Sequence, residues 1–378
     1  MICHVATKTW RLVCASTVLS LCGVLARPAI AQPRTTDHHA SMFRGWHDFR
    51  SWDRTTKALS AEEVWTSPVV RVPNSWDELI ASWNVQTPSG SGLHIEARAG
   101  HADAWTGYYS LGFWSADPKQ HRRASVSGQS DADAEVQTDT LVLKRPAETA
   151  QLRVTLTASP QGARPVLTFV GLCCLNTRTK PQPLPPNTRA WGRSIDVPER
   201  SQASYPGGAQ AWCSPTSVSM VLAYWSRQLG KPELDRDVPE VVEGVYDPIW
   251  PGTGNWSFNT AYAGSLPGLR AYVTRLTDLS ELEDWVMRKV PVVVSVCYDL
   301  LRGRPRNRDS GHLVVCVGFT KEGDAIVNDP GTLTGVSKTF PRENLARAWA
   351  NSKNTVYLIH PEGWRLPHDR FGHWHATR

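Results

Sequence analysis

A proline-rich break near the middle of the chain constrains the fold more than any other feature. Residues 180–188 read KPQPLPPNT and hold four prolines in nine positions. Proline lacks a backbone N–H and has a fixed φ, so this run opposes both helix and sheet pairing and favours an extended spacer. We therefore predict two domains joined by a linker at residues 180–190.

The half before the linker alternates between apolar and polar side chains. Residues 93–98 read LHIEAR and residues 152–156 read LRVTL, with an apolar residue at every second position. This period is typical of half-buried β-strands, and clusters of Gly, Pro, Asp and Ser separate the runs. We predict an antiparallel β-sandwich over residues 43–179, preceded by a flexible leader at residues 32–42. Further predicted strands are 108–114, 136–144 and 165–174.

Tryptophan is frequent in this predicted sandwich. Exposed rings would suit the binding of sugars or extended polymers, whereas core packing accounts for most tryptophans in folded domains. The residues are Trp46, Trp52, Trp65, Trp76, Trp83, Trp105 and Trp114. The sequence leaves open whether this half is a targeting module, a lid over a cleft or a folding partner.

The second half mixes helix and strand patterns. Val218, Val221, Leu222 and Trp225 form an apolar stripe at helical spacing, and the helix is predicted to end at Gly230. Further predicted helices are 279–289 and 342–349, and predicted strands are 291–298, 312–319, 325–329 and 355–360. A helix followed by strands that pack on it indicates an α+β domain, predicted over residues 191–362 and followed by a mobile tail at 363–378.

The first residues have the pattern of an export signal. Basic side chains precede an apolar run at residues 12–26, and residues 29–31 supply an A-x-A cleavage site. We predict a signal peptide over residues 1–31, cleaved after Ala31, and a secreted or periplasmic protein. A lipoprotein cleavage before Cys22 is the disfavoured alternative. No segment reaches the roughly 20 apolar residues of a membrane span, so no transmembrane segment is expected.

Removal of this signal leaves a mildly basic chain with an odd number of thiols. The formal charge of +6 falls by three to +3, because the segment holds three cations and no acid. Such a mild excess argues against a nucleic-acid-binding protein. The remaining cysteines are Cys173, Cys174, Cys213, Cys297 and Cys316. An odd count leaves at least one thiol unpaired in an oxidising compartment, and no C-x-x-C pair indicates a metal site.

Four of these cysteines are predicted to be inert. Cys297 and Cys316 lie within apolar strand-like runs and read as core thiols, with a disulfide as the alternative if their strands are neighbours in the right register. Cys173 and Cys174 are adjacent, and their side chains in a strand point to opposite faces, so a bond between them would be strained. Both are predicted to be structural.

Cys213 has a different setting. It directly precedes a predicted helix with Pro215 in its first turn, where free backbone N–H groups and the positive end of the helix dipole favour the thiolate. A helix N-terminus or a nearby imidazolium can lower a thiol pKa from about 8.5 to roughly 3.5–7.5. A structural cysteine at a helix start is the alternative. We predict that Cys213 is a nucleophile.

Two residues downstream could complete a catalytic group. His312 opens a predicted strand and could act as general base, and Asp329 ends the next strand, where a carboxylate could hold the imidazole. Asn328 takes that role if the register is shifted by one. Gln202, upstream of the helix, could donate its amide to an oxyanion, with Gln210 as the competing candidate.

Four motifs in this order carry a family resemblance: VPERSQ, CSPTSVSMVLAYW, GHLVVCVGF and IVNDP. Together, over residues 195–360, they resemble papain-fold cysteine peptidases of the C39-like group, which is related to the enzymes that cut double-glycine leaders from bacteriocins. The resemblance implies that Cys213 is the nucleophile, His312 the base, Asp329 the orienting carboxylate and Gln202 the oxyanion donor.

Further residues become candidates through the same resemblance. The segment GNWSFNTAYA resembles one in secreted members of the group and makes Asn255 and Trp256 candidate substrate-binding residues. Gly311, beside the predicted base, is another. Ser214 stands where the group has glycine, so it could contact or crowd the substrate backbone.

The expected function is hydrolysis of a peptide or protein substrate through an acyl-enzyme, without a metal or an organic cofactor. One alternative is a cell-wall peptide hydrolase or acyltransferase with the same triad. Another is a binding protein whose site Ser214 has disabled. The leader-processing enzymes are fused to transporters, and no such region occurs in this sequence, so that substrate is not carried over. The oligomeric state stays open.

Overall fold

The computed structural model describes residues 40–56, 61–102, 104–208, 211–307 and 310–375. From Ala40 onward these residues belong to one compact unit. The predicted signal peptide and most of the predicted leader lie outside the described residues. Within the described ranges, no helix has both the length and the apolar character needed to cross a membrane.

The first half of the described chain folds into nine antiparallel strands. They are β1 (Ser41–Trp46), β2 (Asp53–Thr56), β3 (Glu62–Thr66), β4 (Val70–Gln86), β5 (Gly92–Gly100), β6 (Tyr109–Trp114), β7 (Ala134–Gln137), β8 (Thr140–Thr157) and β9 (Val166–Leu175). The order β1-β9-β4-β8-β3-β2 forms the main path, and β5 and β7 also pair with β8. The end of the predicted leader, Ser41 and Met42, is therefore part of a strand.

The 18-residue β8 joins the nine strands into one antiparallel network, because it pairs with β4 and β7 near its start and with β3 and β5 near its end. The antiparallel pairing is confirmed, and the two-layer sandwich stays a prediction. One expectation for this half is wrong in detail. The predicted strand 136–144 is two strands, β7 and β8, joined by a tight turn. Thr138 adopts φ 59° in this turn, a left-handed conformation that interrupts the extended backbone.

Most tryptophans of this half are core residues. Five of the seven, Trp46, Trp52, Trp76, Trp83 and Trp114, are buried. Trp65 is partly buried against the core. Trp105 is exposed, and the Arg98 guanidinium lies 4.3 Å from its ring centroid. Most tryptophans of this half therefore pack in the core, as the core-packing interpretation predicts.

The second half of the described chain combines six α-helices with an antiparallel sheet. The helices are α1 (Cys213–Leu229), α2 (Val238–Val245), α3 (Trp256–Ser265), α4 (Leu279–Met287), α5 (Tyr298–Leu301) and α6 (Arg342–Ala350). The strands are β10 (Arg193–Ser194), β11 (Leu269–Arg275), β12 (Val292–Cys297), β13 (Gly311–Phe319), β14 (Ala325–Asn328), β15 (Ser337–Phe340) and β16 (Thr355–Pro361). Their order is β11-β16-β12-β13-β14-β15, with β10 on β13.

Helix α1 is the central element of this half. Every residue from Ser214 to Ser226 is buried, so the predicted single apolar stripe is too narrow a description. A helix buried all round must satisfy its polar side chains internally. Trp225 donates its indole N–H to the carbonyl of Ile359 at 2.8 Å. The helix ends as predicted at Gly230, whose φ of 63° is a left-handed cap.

Polar contacts join the two sheets. The Asn84 amide donates to the carbonyl of Ala271 at 2.7 Å and accepts from the N–H of the same residue at 3.1 Å. Ser82 accepts from the Val273 N–H at 2.8 Å. These bonds satisfy strand groups of β11 that would otherwise be buried without partners. The side chains of β4 therefore fix the position of the second sheet directly.

The proline-rich segment and the C-terminal segment both pack on α4. Leu184 donates its N–H to the Asp278 carboxylate at 2.8 Å. The expectation of a mobile tail is wrong for residues 363–375, because this segment supplies buried side chains. His373 is fully buried and hydrogen-bonds Glu281 at 2.7 Å, and Trp374 donates to the same carboxylate at 3.0 Å.

Candidate active site

The structure brings His312 and Asp329 together at one end of the second sheet. His312 lies at the start of β13, Asp329 directly follows β14, and these strands are antiparallel neighbours. The His312 Nε2 atom lies 2.8 Å from the Asp329 Oδ1 atom, and both side chains are buried. Asn328, the alternative orienter, instead donates to the carbonyl of Val197 at 3.1 Å.

Asp329 is held in its charged form by several donors. Tyr298 donates its hydroxyl to Oδ2 at 2.6 Å, and the Gly331 N–H donates to Oδ1 at 2.9 Å. The Lys338 ammonium lies 3.7 Å from Oδ2. Burial alone would raise the pKa of this carboxyl, but the hydrogen bonds and the charge of His312 outweigh it and lower the pKa to about 2.

Cys213 is the first residue of α1 and not the residue before it, since Trp212 is the N-cap. The His312 imidazole and the backbone N–H groups of Leu313 and Ser214 are the neighbours of its sulfur that lower the pKa of the thiol. Because Asp329 engages Nε2 of the imidazole, Nδ1 is the ring nitrogen left for the sulfur. The arrangement therefore orders sulfur, imidazole and carboxylate in a row.

This arrangement shifts the two pKa values in opposite directions. For Cys213, burial favours the neutral thiol, but the hydrogen bond and charge of His312 prevail and lower the pKa. For His312, burial favours the neutral ring, but the bonds to Asp329 and Cys213 raise the pKa to about 9. Both shifts favour the form of the pair in which the sulfur is a thiolate and the ring is an imidazolium.

The other cysteines of the described chain are free and lack such a partner. Burial raises the pKa of Cys316 to about 12 and raises that of Cys174 well above its ordinary value. In the β12–β13 register, Cys297 lies opposite Gly311 and Cys316 opposite Val292, so the two thiols are at opposite ends of the strand pair. This separation explains why they form no disulfide.

The loop that carries Gln202 contacts both the residue after Asp329 and the residue before Cys213. Gln202 is buried, and its backbone N–H donates to the carbonyl of Pro330, the residue after Asp329. A Cβ atom on Gly208 would lie 2.3 Å from the Gln202 carbonyl oxygen and 2.9 Å from the Trp212 ring. The loop therefore packs against the residue that precedes Cys213. Gln210 lies outside the described residues.

Two predicted substrate-binding residues face the interior. The Ser214 hydroxyl is fully buried and lies 2.9 Å from the Tyr357 hydroxyl, so it does not crowd a substrate backbone. Asn255 is the buried N-cap of α3. It accepts from the Phe258 N–H at 3.1 Å and donates to Asp247 at 3.2 Å. Asn255 thus stabilises the start of α3, while Ser214 contacts Tyr357 in the interior, and the burial of both side chains corrects the expectation that they contact substrate.

The other two predicted substrate-binding residues lie at accessible places. Gly311 is exposed, and a Cβ atom there would meet no heavy atom within 4 Å. Trp256 is partly buried and lines a cavity of about 370 Å³ together with Trp250 and Asp139. The neighbouring Thr253 hydroxyl donates to the carbonyl of Ala211 at 2.8 Å, which ties this segment to the start of α1.

Sequence reasoning missed two residues that support the imidazole. The Tyr298 ring centroid lies 4.3 Å from that of His312, in addition to the hydroxyl bond to Asp329. A Cβ atom on Gly331 would lie 3.1 Å from Cε1 of His312, so glycine permits the close approach of this turn. The signals were present: a tyrosine at the end of the strand beside His312 and a glycine two residues after Asp329.

The described residues contain no group of three or more His, Cys, Asp or Glu side chains arranged to hold a metal ion. The positions of Cys213, His312 and Asp329 support the chemistry of a thiolate beside an imidazolium. Such a pair can attack a carbonyl carbon and return a proton to a leaving group.

Each half of the chain matches one protein-family model. Residues 32–174 match the Peptidase C39 N-terminal domain, and residues 194–357 match the Peptidase_C39 like family. No curated protein matches the chain. Among solved structures, a candidate C39-like peptidase from Bacillus anthracis is 18% identical over 45% of this chain and 98% of its own, with a TM-score of 0.35.

Proposed function

This chain belongs to the C39-like peptidase family, and from that premise we propose that it is a secreted cysteine peptidase that uses Cys213, His312 and Asp329. The observation that carries the proposal is the buried pair of His312 and Asp329, 2.8 Å apart, beside Cys213: His312 lowers the thiol pKa, and the imidazole pKa is raised. A thiolate that coexists with an imidazolium is both the nucleophile and the acid that peptide cleavage needs.

The proposed reaction has two stages. The Cys213 thiolate attacks the peptide carbonyl carbon, and the Cys213 N–H at the start of α1 and the Gln202 amide stabilise the resulting oxyanion. The His312 imidazolium gives its proton to the departing amine as the C–N bond breaks, which leaves a thioester. His312 then takes a proton from water, and the hydroxide displaces the thiolate to release the acid.

Asp329 and Tyr298 have a positioning role in this proposal. Asp329 accepts from Nε2 and keeps Nδ1 directed at the sulfur, while its charge stabilises the imidazolium. Tyr298 holds the second carboxylate oxygen, so the carboxylate cannot rotate freely. Both residues act through His312 and not on the substrate.

We also propose a papain-like arrangement for residues 191–362, in which α1 packs on an antiparallel sheet and carries the nucleophile at its start. The contact of α1 with β13 supports this arrangement, since Ser217 donates to the carbonyl of Leu313 at 3.3 Å. Residues 43–179 are proposed as the accessory domain and 180–190 as the linker. The proposed location is outside the cytoplasm after cleavage behind Ala31; mass spectrometry of the exported protein should then find Gln32 as its first residue.

The alternatives make different predictions. In a disabled binding protein Ser214 would block the site, whereas its hydroxyl lies 2.9 Å from the Tyr357 hydroxyl in the interior, which supports the peptidase proposal. An acyltransferase with the same triad would pass the acyl group to an added amine. Hydrolysis in the presence of glycinamide, with the products identified by mass spectrometry, separates transfer from cleavage.

The test of the proposed function uses fluorescein-labelled casein and iodoacetamide. The wild-type protein should release labelled peptides and should be alkylated at Cys213 first, with activity lost in proportion. The Cys213→Ala variant should be inactive, whereas the matched Cys316→Ala variant should keep its turnover, because Cys316 is a buried neutral thiol. Full turnover by Cys213→Ala would refute the proposal.

A further inference from the structure

A second cavity lies far along the fold from the thiol, between β11, α4, β16 and the C-terminal segment. Its volume is about 160 Å³. Aromatic side chains dominate the lining: Phe43, Phe169, Tyr272, Trp285, Trp364 and Trp374. The ring centroids of Trp285 and Trp374 are 5.9 Å apart, and those of Phe43 and Tyr272 are 4.7 Å apart.

The size of the cavity limits its occupant. An apolar cavity of about 150 Å³ is sufficient to bind one benzene molecule. The cavity therefore fits a single six-membered ring with a short substituent. The aromatic walls would contact such a ring edge-to-face or in offset stacks, which adds to the free energy of burying its surface.

Two buried donors line this cavity without an acceptor. The Trp285 indole N–H, on a side chain only 2% exposed, and the Arg270 Nε–H have no hydrogen-bond partner among the described residues. Both residues belong to the lining. Buried N–H groups in folded proteins are usually paired, and an acceptor bound in this cavity would satisfy both donors.

The charges around the cavity favour an anionic acceptor. The Arg270 guanidinium has only a distant partner, the half-exposed Glu362 carboxylate at 3.8 Å. The carboxylate of Glu281 is already engaged by the Thr277 N–H, His373 and Trp374. Burial lowers the pKa of His360 to about 4, so this ring contributes no charge at neutral pH.

We propose that this cavity binds an aromatic ring that carries a carboxylate. The ring lies among the tryptophans, and the carboxylate accepts from Arg270 and from the Trp285 N–H. Two sources share this chemistry: a small free aromatic acid and the C-terminal Phe, Tyr or Trp of a peptide. The site is separate from Cys213 and does not depend on the proposed function.

The test measures binding of 3-phenylpropionate to the full chain by isothermal titration calorimetry. The acid should bind at least about 10-fold more tightly than 3-phenylpropionamide, which lacks the charge, and than 3-cyclohexylpropionate, which lacks the aromatic ring. Arg270→Met should weaken binding of the acid about 10-fold or more. Trp285→Phe, which keeps a ring and loses the N–H, should weaken it about 5-fold. Arg227→Met, an exposed arginine on α1, is the matched control and should bind as wild type.

A second arm separates the two sources in the Cys213→Ala background, where the peptide cannot be cut by the proposed mechanism. Binding of Ala-Ala-Phe but not of its C-terminal amide assigns the site to peptide ends; binding of 3-phenylpropionate alone assigns it to a small acid. Equal binding of acid and amide, no binding of any probe, or unchanged affinity in the Trp285→Phe variant overturns the proposal. The comparison of wild type with Trp285→Phe tests the proposal even if the Arg270→Met variant does not fold.

Discussion

Two regions of the second half each bury a histidine, and the two histidines behave in opposite ways. His312 beside the thiol and His360 beside the aromatic cavity are both buried. The pKa of His312 is raised to about 9, whereas that of His360 is lowered to about 4. His312 faces the Asp329 carboxylate, while the ring nitrogens of His360 lie near the carbonyl of Pro361 and the hydroxyl of Tyr272.

The difference teaches that burial alone does not make a reactive site. Burial favours the neutral form of both rings, and at His312 the Asp329 carboxylate and the Cys213 sulfur reverse the direction of the pKa shift. The thiols show the same difference. Burial raises the pKa of Cys316 in the sheet, whereas His312 lowers the pKa of Cys213. The candidate active site is therefore defined by the row of sulfur, imidazole and carboxylate.

The largest expected effect comes from removing the imidazole. His312→Ala should lower kcat/KM for a casein-derived peptide about 10³-fold or more, because the thiolate loses its partner and the leaving amine loses its proton donor. The matched His360→Ala variant should stay within about 3-fold of wild type when folded. More than a tenth of wild-type activity in His312→Ala would show that the two histidines do not differ in function.

Removing the charge of Asp329 should have the next largest effect. Asp329→Asn should lower kcat/KM about 100-fold or more, since the imidazolium loses its counter-charge and its orientation. Activity should fall as the pH rises through the pKa of His312, about 9 in the wild type. Because Asp329 raises that pKa, the variant should lose activity at a lower pH. The measurement is kcat/KM against pH, with Asp299→Asn as the control; an unshifted alkaline limb would contradict the role of Asp329.

A methyl group beside the imidazole should disturb its position. In Gly331→Ala the new Cβ atom would lie 3.1 Å from Cε1 of His312, closer than most such contacts, so the ring or the turn must move. We expect a loss of about 10-fold in kcat, since small misplacements of catalytic groups are costly. Gly107→Ala has no heavy atom within 4 Å of its Cβ position and serves as the control. Equal rates for both variants would mean that the imidazole position tolerates the contact.

The smallest effect should follow loss of one hydroxyl. Tyr298→Phe removes the bond of 2.6 Å to Asp329 and keeps the ring beside His312. One such hydrogen bond contributes about 1 kcal/mol, which corresponds to about 5-fold in kcat/KM. Its loss should raise the pKa of Asp329, because a donor to the charged form is missing. If Tyr298→Phe has the kinetics of the wild type, the Tyr298 hydroxyl does not contribute, and only its aromatic ring supports His312.

Much of the fold follows from local signals in the sequence. The helix after Cys213 and its end at Gly230 are present as predicted, and the strands predicted at 312–319 and 325–329 are present with bounds shifted by one residue, as Gly311–Phe319 and Ala325–Asn328. The division at residues 136–144 was not predictable, because Thr138 is neither glycine nor asparagine and gives no turn signal. The packing of the C-terminal segment was also missed, since its aromatic residues have no helical or strand period.

The sequence predicted which residues lie at the candidate site but not which way their side chains point. The order of motifs identified the residues that now lie together, and their catalytic roles stay predictions. Whether Ser214 faces a substrate or Tyr357 depends on the rotation of α1 within its neighbours, which the sequence does not specify. Asn255 carried a helix-cap signal, and its N-cap position explains its burial better than substrate contact does.

The most direct test of the central claim is the rate of iodoacetamide alkylation at Cys213 as a function of pH. We expect the wild-type midpoint below the ordinary thiol pKa of about 8.5, because His312 stabilises the thiolate. In the His312→Ala variant the midpoint should rise above that value, since burial then acts unopposed. A wild-type midpoint at or above that of free cysteine, or the same midpoint in both proteins, would contradict the account.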